Sequence, residues 1–275
     1  MKMILENKNI IGIHGVPRSG TSWLAQIFNS HPDVNFKFQP LFSYAFKDYL
    51  NEHSSAFEIE RFFEEIAISD DYFLNLKDPV IHQNYPVFNK NKTFTTLVFK
   101  QIRYHHIIEN ILRKNQMVKF IFTIRNPLAV MNSWIHTEME FKPEWKLDEE
   151  WRYAKKKNRN RVEEYFGYAK WKEAVNIFLN LNEKYPERTR IVNYNDLLLH
   201  TETVIRNLFK FSSLSFDDQT KKFIRESKER NDTDPNSVYK KKLNDNAWEK
   251  GIPEHIIDEV FKDLENDRLK IYLEK

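Results

Sequence analysis

A short loop in the N-terminal part of the chain could hold an anion. Residues 15–22 read GVPRSGTS and follow an isoleucine-rich segment, residues 9–14. The two glycines let the backbone turn so that successive N–H groups point inward, and a helix starting near Thr21 adds its positive N-terminal end. Arg18 can hold two oxygens of one phosphate or sulfate with its planar guanidinium. The spacing therefore favours an anion-binding loop over an ordinary strand–turn–helix connection.

This loop differs from the phosphate-binding P-loop, whose pattern is G-x-x-x-x-G-K-[ST]. Thr21 stands where that pattern has its lysine, and Arg18 is the nearest cation. In P-loop enzymes a second strand ends in an aspartate that holds Mg²⁺. Here the apolar segment 117–124 ends at Arg125, which repels a metal and attracts another anion. The sequence predicts two anion sites and no metal site.

Two further side chains are expected beside these sites. Ser133 comes eight residues after Arg125, about two turns into the helix that Pro127 is expected to begin, and could hold the second anion with Arg125. Lys100 follows another β-branched and aromatic segment, residues 94–99. Its ammonium could neutralise charge on a transferred group. Taken alone, each is explained equally well as a packed or solvated residue.

Strand-like and helix-like segments alternate along the chain and indicate what positions these residues. Strands are predicted at residues 9–14, 34–38, 94–99, 117–124 and 189–193. Helices are predicted from about residue 21, at 55–68, 103–114 and 127–136, and in two pieces over 148–182. The alternation predicts an α/β fold of three layers, with a central parallel sheet of about four or five strands flanked by helices, similar to P-loop proteins. The carboxyl ends of parallel strands meet at one edge, where ligands bind. Asp196 is expected to cap the helix after the last strand, although an aspartate there could also hold a metal.

The composition excludes several other classes of function. The 275 residues include no cysteine, which rules out disulfides, zinc–thiolate sites, iron–sulfur clusters and a cysteine nucleophile. A formal net charge of +3 is too small for a dedicated nucleic-acid binder. Residues 1–15 are too polar for a signal peptide, and no apolar run approaches the roughly 20 residues that span a bilayer. We expect one domain over residues 1–275, in the cytoplasm.

The two principal motifs resemble those of the sulfotransferases that use 3′-phosphoadenosine 5′-phosphosulfate (PAPS). Residues 17–24 (PRSGTSWL) are similar to the family's P-[KR]-S-G-T-[ST]-x-[LW] loop, which binds the 5′-phosphosulfate. Residues 125–133 resemble its R-[ND]-P segment, whose arginine and following serine hold the 3′-phosphate. More weakly, residues 194–197 (YNDL) resemble a segment whose tyrosine lies near the adenosine. Residues 237–240 (SVYK), with Trp248, resemble a basic loop that closes over the 3′-phosphate.

The resemblance implies sulfuryl transfer from PAPS, without a metal, to a hydroxyl of a small molecule or a carbohydrate. It accounts for two separated anion sites, since PAPS carries two separated anionic groups. Arg18 and Lys100 would stabilise the transferred group. The donor-binding residues implied are Pro17, Arg18, Ser19, Gly20, Thr21, Ser22, Arg125, Ser133, Tyr194 and Lys240.

The base that takes the acceptor's proton is not assigned by the resemblance. Many relatives place a glutamate eight residues beyond the histidine of an H-P-[DE]-V segment, but here Gln39 follows His31 at that distance and cannot act as a base. Another common pattern places a histidine two residues beyond the strand-end lysine, where this chain has Ile102. The candidates are His105, which we place first, then His106, His14, Glu138 and Asp48.

Two other functions fit the same residues. A P-loop kinase of a small metabolite would bind ATP with Mg²⁺, and a non-catalytic relative that binds a nucleotide or a sulfated glycan would explain Gln39. Residues 151–161 (WRYAKKKNRNR) hold six cations. Such a run favours a solvated helix face over a site for an anionic acceptor.

Overall fold

Five parallel strands form the central sheet of the computed structural model, which describes residues 4–78, 85–232, 237–242 and 244–273. The strands are β1 (Asn9–His14), β2 (Val34–Phe38), β3 (Thr96–Gln101), β4 (Val118–Ile124) and β5 (Thr189–Asn193), in the order β2-β3-β1-β4-β5. The predicted fold class, a parallel sheet flanked by helices, is confirmed. The predicted strand bounds are right to within about two residues. β1, β3 and β4 are largely apolar and buried on both faces, whereas β2 and β5 include polar residues and Arg190 of β5 is exposed.

Helices cover both faces of this sheet. They are α1 (Thr21–Asn29), α2 (Ala56–Ile68), α3 (Ile108–Lys114), α4 (Pro127–Ile135), α5 (Leu147–Glu150), α6 (Lys155–Asn158), α7 (Tyr168–Lys184), α8 (Tyr194–Leu199), α9 (Thr201–Phe211), α10 (Asp218–Glu229), α11 (Trp248–Gly251) and α12 (Glu254–Leu264). Along β4, Phe120 and Phe122 join the apolar cluster on one face, whereas Ile121 joins the cluster on the other. Successive strand residues point to opposite faces, so one strand supplies both layers. Among the described helices, none has the length and apolarity required to cross a membrane.

Two predicted helical features are wrong. Residues 148–182, expected as two helical pieces, contain three helices, α5, α6 and α7, separated by turns in which Ala154 and Arg159 have φ of 46° and 50°. The polar run there has no apolar stripe to hold a continuous helix against the core. The cap of α8 is Asn193, whose side chain accepts a hydrogen bond from the N–H of Asn195 at 2.8 Å, whereas Asp196 lies in the first turn.

Strand register places the predicted site residues at one edge of the sheet. His14, the last residue of β1, is opposite Gln101 of β3 and Phe122 of β4. The loop after β1, Lys100 near the end of β3 and Arg125 just after β4 therefore lie side by side. The central position of β1 puts the loop between the two cations.

Candidate functional site

The loop after β1 folds tightly onto the start of α1. Ser19 is fully buried, and both its hydroxyl and its N–H donate to the carbonyl of Val16, at 2.7 and 3.2 Å. Gly20 has φ +84°, and a Cβ there would lie 2.4 Å from the ring of Tyr194. Within the described chain, the first turn of α1 carries no acidic side chain and no side-chain cap. Its N–H groups thus have the arrangement that binds anions at helix N-termini.

Arg18 joins the two predicted motifs. It has φ 70°, and its Nε donates to Oγ of Ser133 on α4 at 3.1 Å. Its Nη1 lies 3.8 Å from Oε2 of Glu140, and its side chain is 17% exposed. The guanidinium therefore lies at the mouth of the loop, between α4 and the turn that follows α4.

Arg125 is buried, and three of the five N–H groups of its guanidinium donate to other groups. Nε and Nη2 donate to the two carboxylate oxygens of Asp245 at 2.6 and 2.5 Å, and Nη1 donates to the carbonyl of Arg18 at 2.6 Å. The guanidinium also lies 4.8 Å from the ring centroid of Tyr194. Burial opposes its charge, but the hydrogen bonds and the charge of Asp245 raise the pKa of Arg125 above its ordinary value. The carboxylate of Asp245 thus occupies the two-donor side of the guanidinium to which the sequence assigns a phosphate.

A pocket of about 250 Å³ opens beside this ion pair. It is lined by Arg18, Arg125, Ala129, Asn132, Ser133, His136, Thr137, Lys242, Asp245, Ala247 and Trp248. Lys242 donates to Asp245 at 2.6 Å. The pKa of Lys242 is lowered mainly by burial and, to a smaller extent, by the charge of Arg125. Three cations and a serine hydroxyl therefore border one cavity, which suits an anionic ligand.

Lys240, predicted to bind the 3′-phosphate, does not line this pocket. Its Nζ donates to the carbonyl of Asp232 at 2.6 Å, whereas Lys242 lines the pocket two residues further along. The polar segment around them has no periodicity, so the sequence could not decide which lysine turns inward. Asp245 was missed for the same reason.

Lys100 lies near the end of β3, on the opposite side of β1 from β4 and Arg125. It is 3% exposed, and its Nζ lies 4.7 Å from the ring centroid of Phe38. Burial lowers its pKa to about 7; Arg103 and Arg18 also lower it, and Glu140 opposes them. An ammonium whose proton is held this weakly responds to the charge of any ligand beside it.

Gln39, at the position where relatives carry a glutamate, also lies next to Lys100. Its N–H donates to the carbonyl of Lys100 at 2.8 Å, and its Oε1 accepts from Nη1 of Arg103 at 3.2 Å. Arg103 in turn donates to Glu164 at 2.8 Å and lies 4.1 Å from the ring centroid of Phe42. Gln39 is thus an acceptor for a buried arginine rather than a proton acceptor.

His105 is not brought to this edge. It has no exposed surface, its Nδ1 lies 3.1 Å from Nδ1 of His14, and its ring packs against Tyr165 and Phe178. Burial lowers the pKa of His14 to about 3 and that of His105 well below its ordinary value. An acceptor hydroxyl cannot reach a ring enclosed in this way, so the structure does not favour His105 as the base.

Most of the basic run lies on the surface, and Lys157 is an exception. Lys156 pairs with Glu149 and Arg152 with Glu259, as on a solvated face. Lys157 is half-buried with its Nζ 4.7 Å from the ring centroid of Phe166. Burial lowers the pKa of Lys157, and the charge of Glu140 is the largest influence that raises it.

The fold and site together define a class: an α/β protein with a glycine-bracketed anion loop on its central strand and a cationic pocket beside it. Residues 11–218 match the family model described as sulfotransferase family, and the chain belongs to that family. No curated protein matches the sequence.

Solved structures share the fold at low sequence identity. The mouse sulfotransferase SULT7A1, complexed with PAP, has a TM-score of 0.56 and 14% identity, with 98% of this chain and 90% of that chain covered. Retinol dehydratase, in complex with androsterone and the inactive cofactor PAP, has a TM-score of 0.57 and 13% identity, with 95% and 80% covered. The sulfotransferase STF9 from Mycobacterium avium has a TM-score of 0.51 and 12% identity, with 96% and 79% covered. These similarities concern the fold.

Proposed function

We propose that the protein transfers the sulfuryl group of PAPS to a hydroxyl of a small molecule or glycan. The observation that carries this proposal is that two groups of cationic side chains lie at one edge of the sheet. One is at the loop with Arg18, and the other is at the pocket with Arg125. PAPS carries two anionic groups, a 5′-phosphosulfate and a 3′-phosphate. The PAP in the mouse structure supports the same choice of nucleotide.

Each part of the donor has a proposed binding group. The N–H and hydroxyl groups of residues 20–22, after the turn at Pro17, bind the 5′-phosphosulfate. Ser19, predicted to bind it as well, instead holds the loop through its two hydrogen bonds to the carbonyl of Val16. Arg125, Ser133 and Lys242, the last in place of the predicted Lys240, bind the 3′-phosphate, with Tyr194 beside the adenosine. These groups hold the donor so that its sulfur faces the acceptor.

Arg18 and Lys100 act on the group that is transferred. As the acceptor oxygen attacks sulfur from one side, the bond from sulfur to the phosphate oxygen breaks on the other, and negative charge builds up on that oxygen. Two cations at the loop offset this charge without needing to reorganise. The remaining requirement is a base for the acceptor's proton.

Binding of 3′,5′-adenosine bisphosphate tests the nucleotide part of the proposal. At a hundred times its Kd the bisphosphate should stabilise the folded chain by about 2.7 kcal/mol, which a thermal melt detects. ATP with Mg²⁺ is the matched comparison: a shift with ATP–Mg²⁺ and none with the bisphosphate would favour a kinase. Labelled PAPS is then offered with a panel of alcohols, sugars and phenols. Binding without any sulfated product would favour a non-catalytic relative.

The pH dependence of the reaction should reflect Lys100. Burial favours the neutral amine of Lys100, so in the free enzyme Lys100 loses its positive charge as the pH rises through about 7. We therefore expect kcat/KM for PAPS to fall over that range. A bound phosphosulfate places negative charge near the ammonium and raises its pKa, so the fall in kcat should lie at higher pH. Lys100→Arg keeps its charge throughout and should lose the fall near neutral pH. An unchanged profile in that variant would assign the titration to another group.

A further inference from the structure

We propose that Glu140 is the base that takes the proton from the acceptor hydroxyl. This inference rests on the proposed sulfuryl transfer and supplies the group that the transfer lacks. Glu140 lies in the turn after α4, outside every motif that the sequence singled out. The argument combines its position, its unpaired oxygen and the charges around it.

The backbone of Glu140 is held on both sides. Its N–H donates to the carbonyl of Thr137 at 2.8 Å, and its own carbonyl accepts from Nε1 of Trp134 at 3.2 Å. Trp134 is 1% exposed and packs against Phe141 and Phe166. A core indole therefore fixes the turn from which the carboxylate extends.

The carboxylate of Glu140 reaches the reaction centre with one oxygen unused. Oε2 is buried and lies 3.8 Å from Nη1 of Arg18, yet it has no hydrogen-bond partner among the described residues. Its charge also acts on Lys100 and Lys157, raising the pKa of each against the effect of burial. Arg18 and Lys100 are the cations assigned to the transferred group. A buried acceptor atom that lies 3.8 Å from Arg18 and whose charge acts on Lys100 has the position that a base requires.

Glu164 is the alternative carboxylate and fits less well. Its Oε2 is also unpaired in the described chain, but its Oε1 holds Nε of Arg103 at 2.8 Å. Arg103 is 8% exposed and would be left as a buried charge without Glu164. Glu164 is therefore explained as the partner of Arg103, whereas Glu140 lies 3.8 Å from Arg18, farther than a hydrogen bond reaches.

The step balances with Glu140 as base. Its Oε2 takes the proton of the acceptor O–H while the acceptor oxygen forms a bond to sulfur. The bond from sulfur to the phosphate oxygen breaks, and PAP leaves with the electron pair. The carboxylic acid then returns its proton to water. Gln39 needs no proton-transfer role in this scheme, because Glu140 supplies the base.

The variant Glu140→Gln tests whether Glu140 acts as a base or only supports the structure. The matched control is Glu144→Gln, which changes an exposed glutamate of the same segment. We expect kcat with alcohol or sugar acceptors to fall about 10²–10⁴-fold in Glu140→Gln and to stay unchanged in Glu144→Gln. The melting shift with 3′,5′-adenosine bisphosphate should stay unchanged in both. The wild-type pH–rate profile should lose its acid limb in Glu140→Gln, and Glu140→Asp should restore part of the rate.

An acidic acceptor gives a second readout. 4-Nitrophenol ionises near neutral pH without help, so its sulfation should lose much less rate in Glu140→Gln than that of an alcohol. Equal losses with both acceptors, or a loss of bisphosphate binding, would show a structural role and overturn the assignment. Alcohol sulfation at the wild-type rate would overturn it as well. Absence of sulfated product from the wild-type protein would instead overturn the proposed function, and the base with it.

Discussion

Replacing Arg18 with alanine is expected to lower the turnover of PAPS by about 10²–10³-fold and to leave the chain folded. The loss follows because Arg18 supplies charge and hydrogen bonds at the oxygen that leaves, and removing one such donor typically costs that much. The fold should survive because the guanidinium lies at the mouth of the loop and alanine tolerates φ 70° no worse than arginine does. The measurement is steady-state turnover of labelled PAPS beside a thermal melt.

The control variant is Arg18→Lys, which keeps the positive charge and removes the planar guanidinium. It should recover part of the turnover, because an ammonium supplies the charge but cannot hold two oxygens at once. Near-normal turnover in Arg18→Ala, with the melt unchanged, would contradict the place of Arg18 at the reaction centre and with it the assignment of the loop to the phosphosulfate.

The ion pair between Arg125 and Asp245 should govern both stability and nucleotide binding. Arg125→Leu leaves the carboxylate of Asp245 buried with only Lys242 as a partner, and breaking a buried pair typically costs about 3–5 kcal/mol. The same variant should lose the melting shift with 3′,5′-adenosine bisphosphate. Arg125→Leu combined with Asp245→Leu should regain much of the stability and none of the shift, because the unpaired charge has gone but the phosphate site has gone too.

Asp245→Asn should show the opposite behaviour with the nucleotide. Without ligand it should melt at a lower temperature than the wild type, because the charge of Arg125 is then poorly compensated. With saturating bisphosphate its melting shift should exceed that of the wild type, because the 3′-phosphate no longer competes with a carboxylate for the fork. A smaller shift would mean that Asp245 supports binding, for example by orienting Lys242.

The parts of the site that sequence reasoning predicted are those in which chemistry and local structure coincide. Residues 15–22 follow directly from a buried strand and precede a helix, so their loop geometry is determined within about ten residues of chain. Arg125 and Lys100 end apolar segments, and the parallel sheet brings such ends together without further information. The order of the strands was not needed to predict this convergence.

The parts that were missed depend on contacts between distant segments. Asp245 and Arg125 are separated by 120 positions, and nothing near either residue indicates the other. Glu140 lies in a turn whose direction is set by the indole of Trp134. His105 follows Tyr104, whose φ of 59° turns the chain so that the imidazole enters the core rather than the site. A histidine three positions beyond the expected one, at 105 rather than 102, carries no information about such a turn.

The order of the strands also fixes a distance along this edge of the sheet. β1 carries the loop, β3 beside it carries Lys100, and β4 on its other side leads to Arg125. Adjacent strands lie about 4.8 Å apart, so the strand ends that lead to Lys100 and Arg125 are separated by two strand spacings, roughly 10 Å. Backbone hydrogen bonds set that length, and side-chain changes cannot alter it. Substitutions at this edge can therefore change the reach and the charge of the side chains, whereas the spacing of the strand ends from which they extend stays the same.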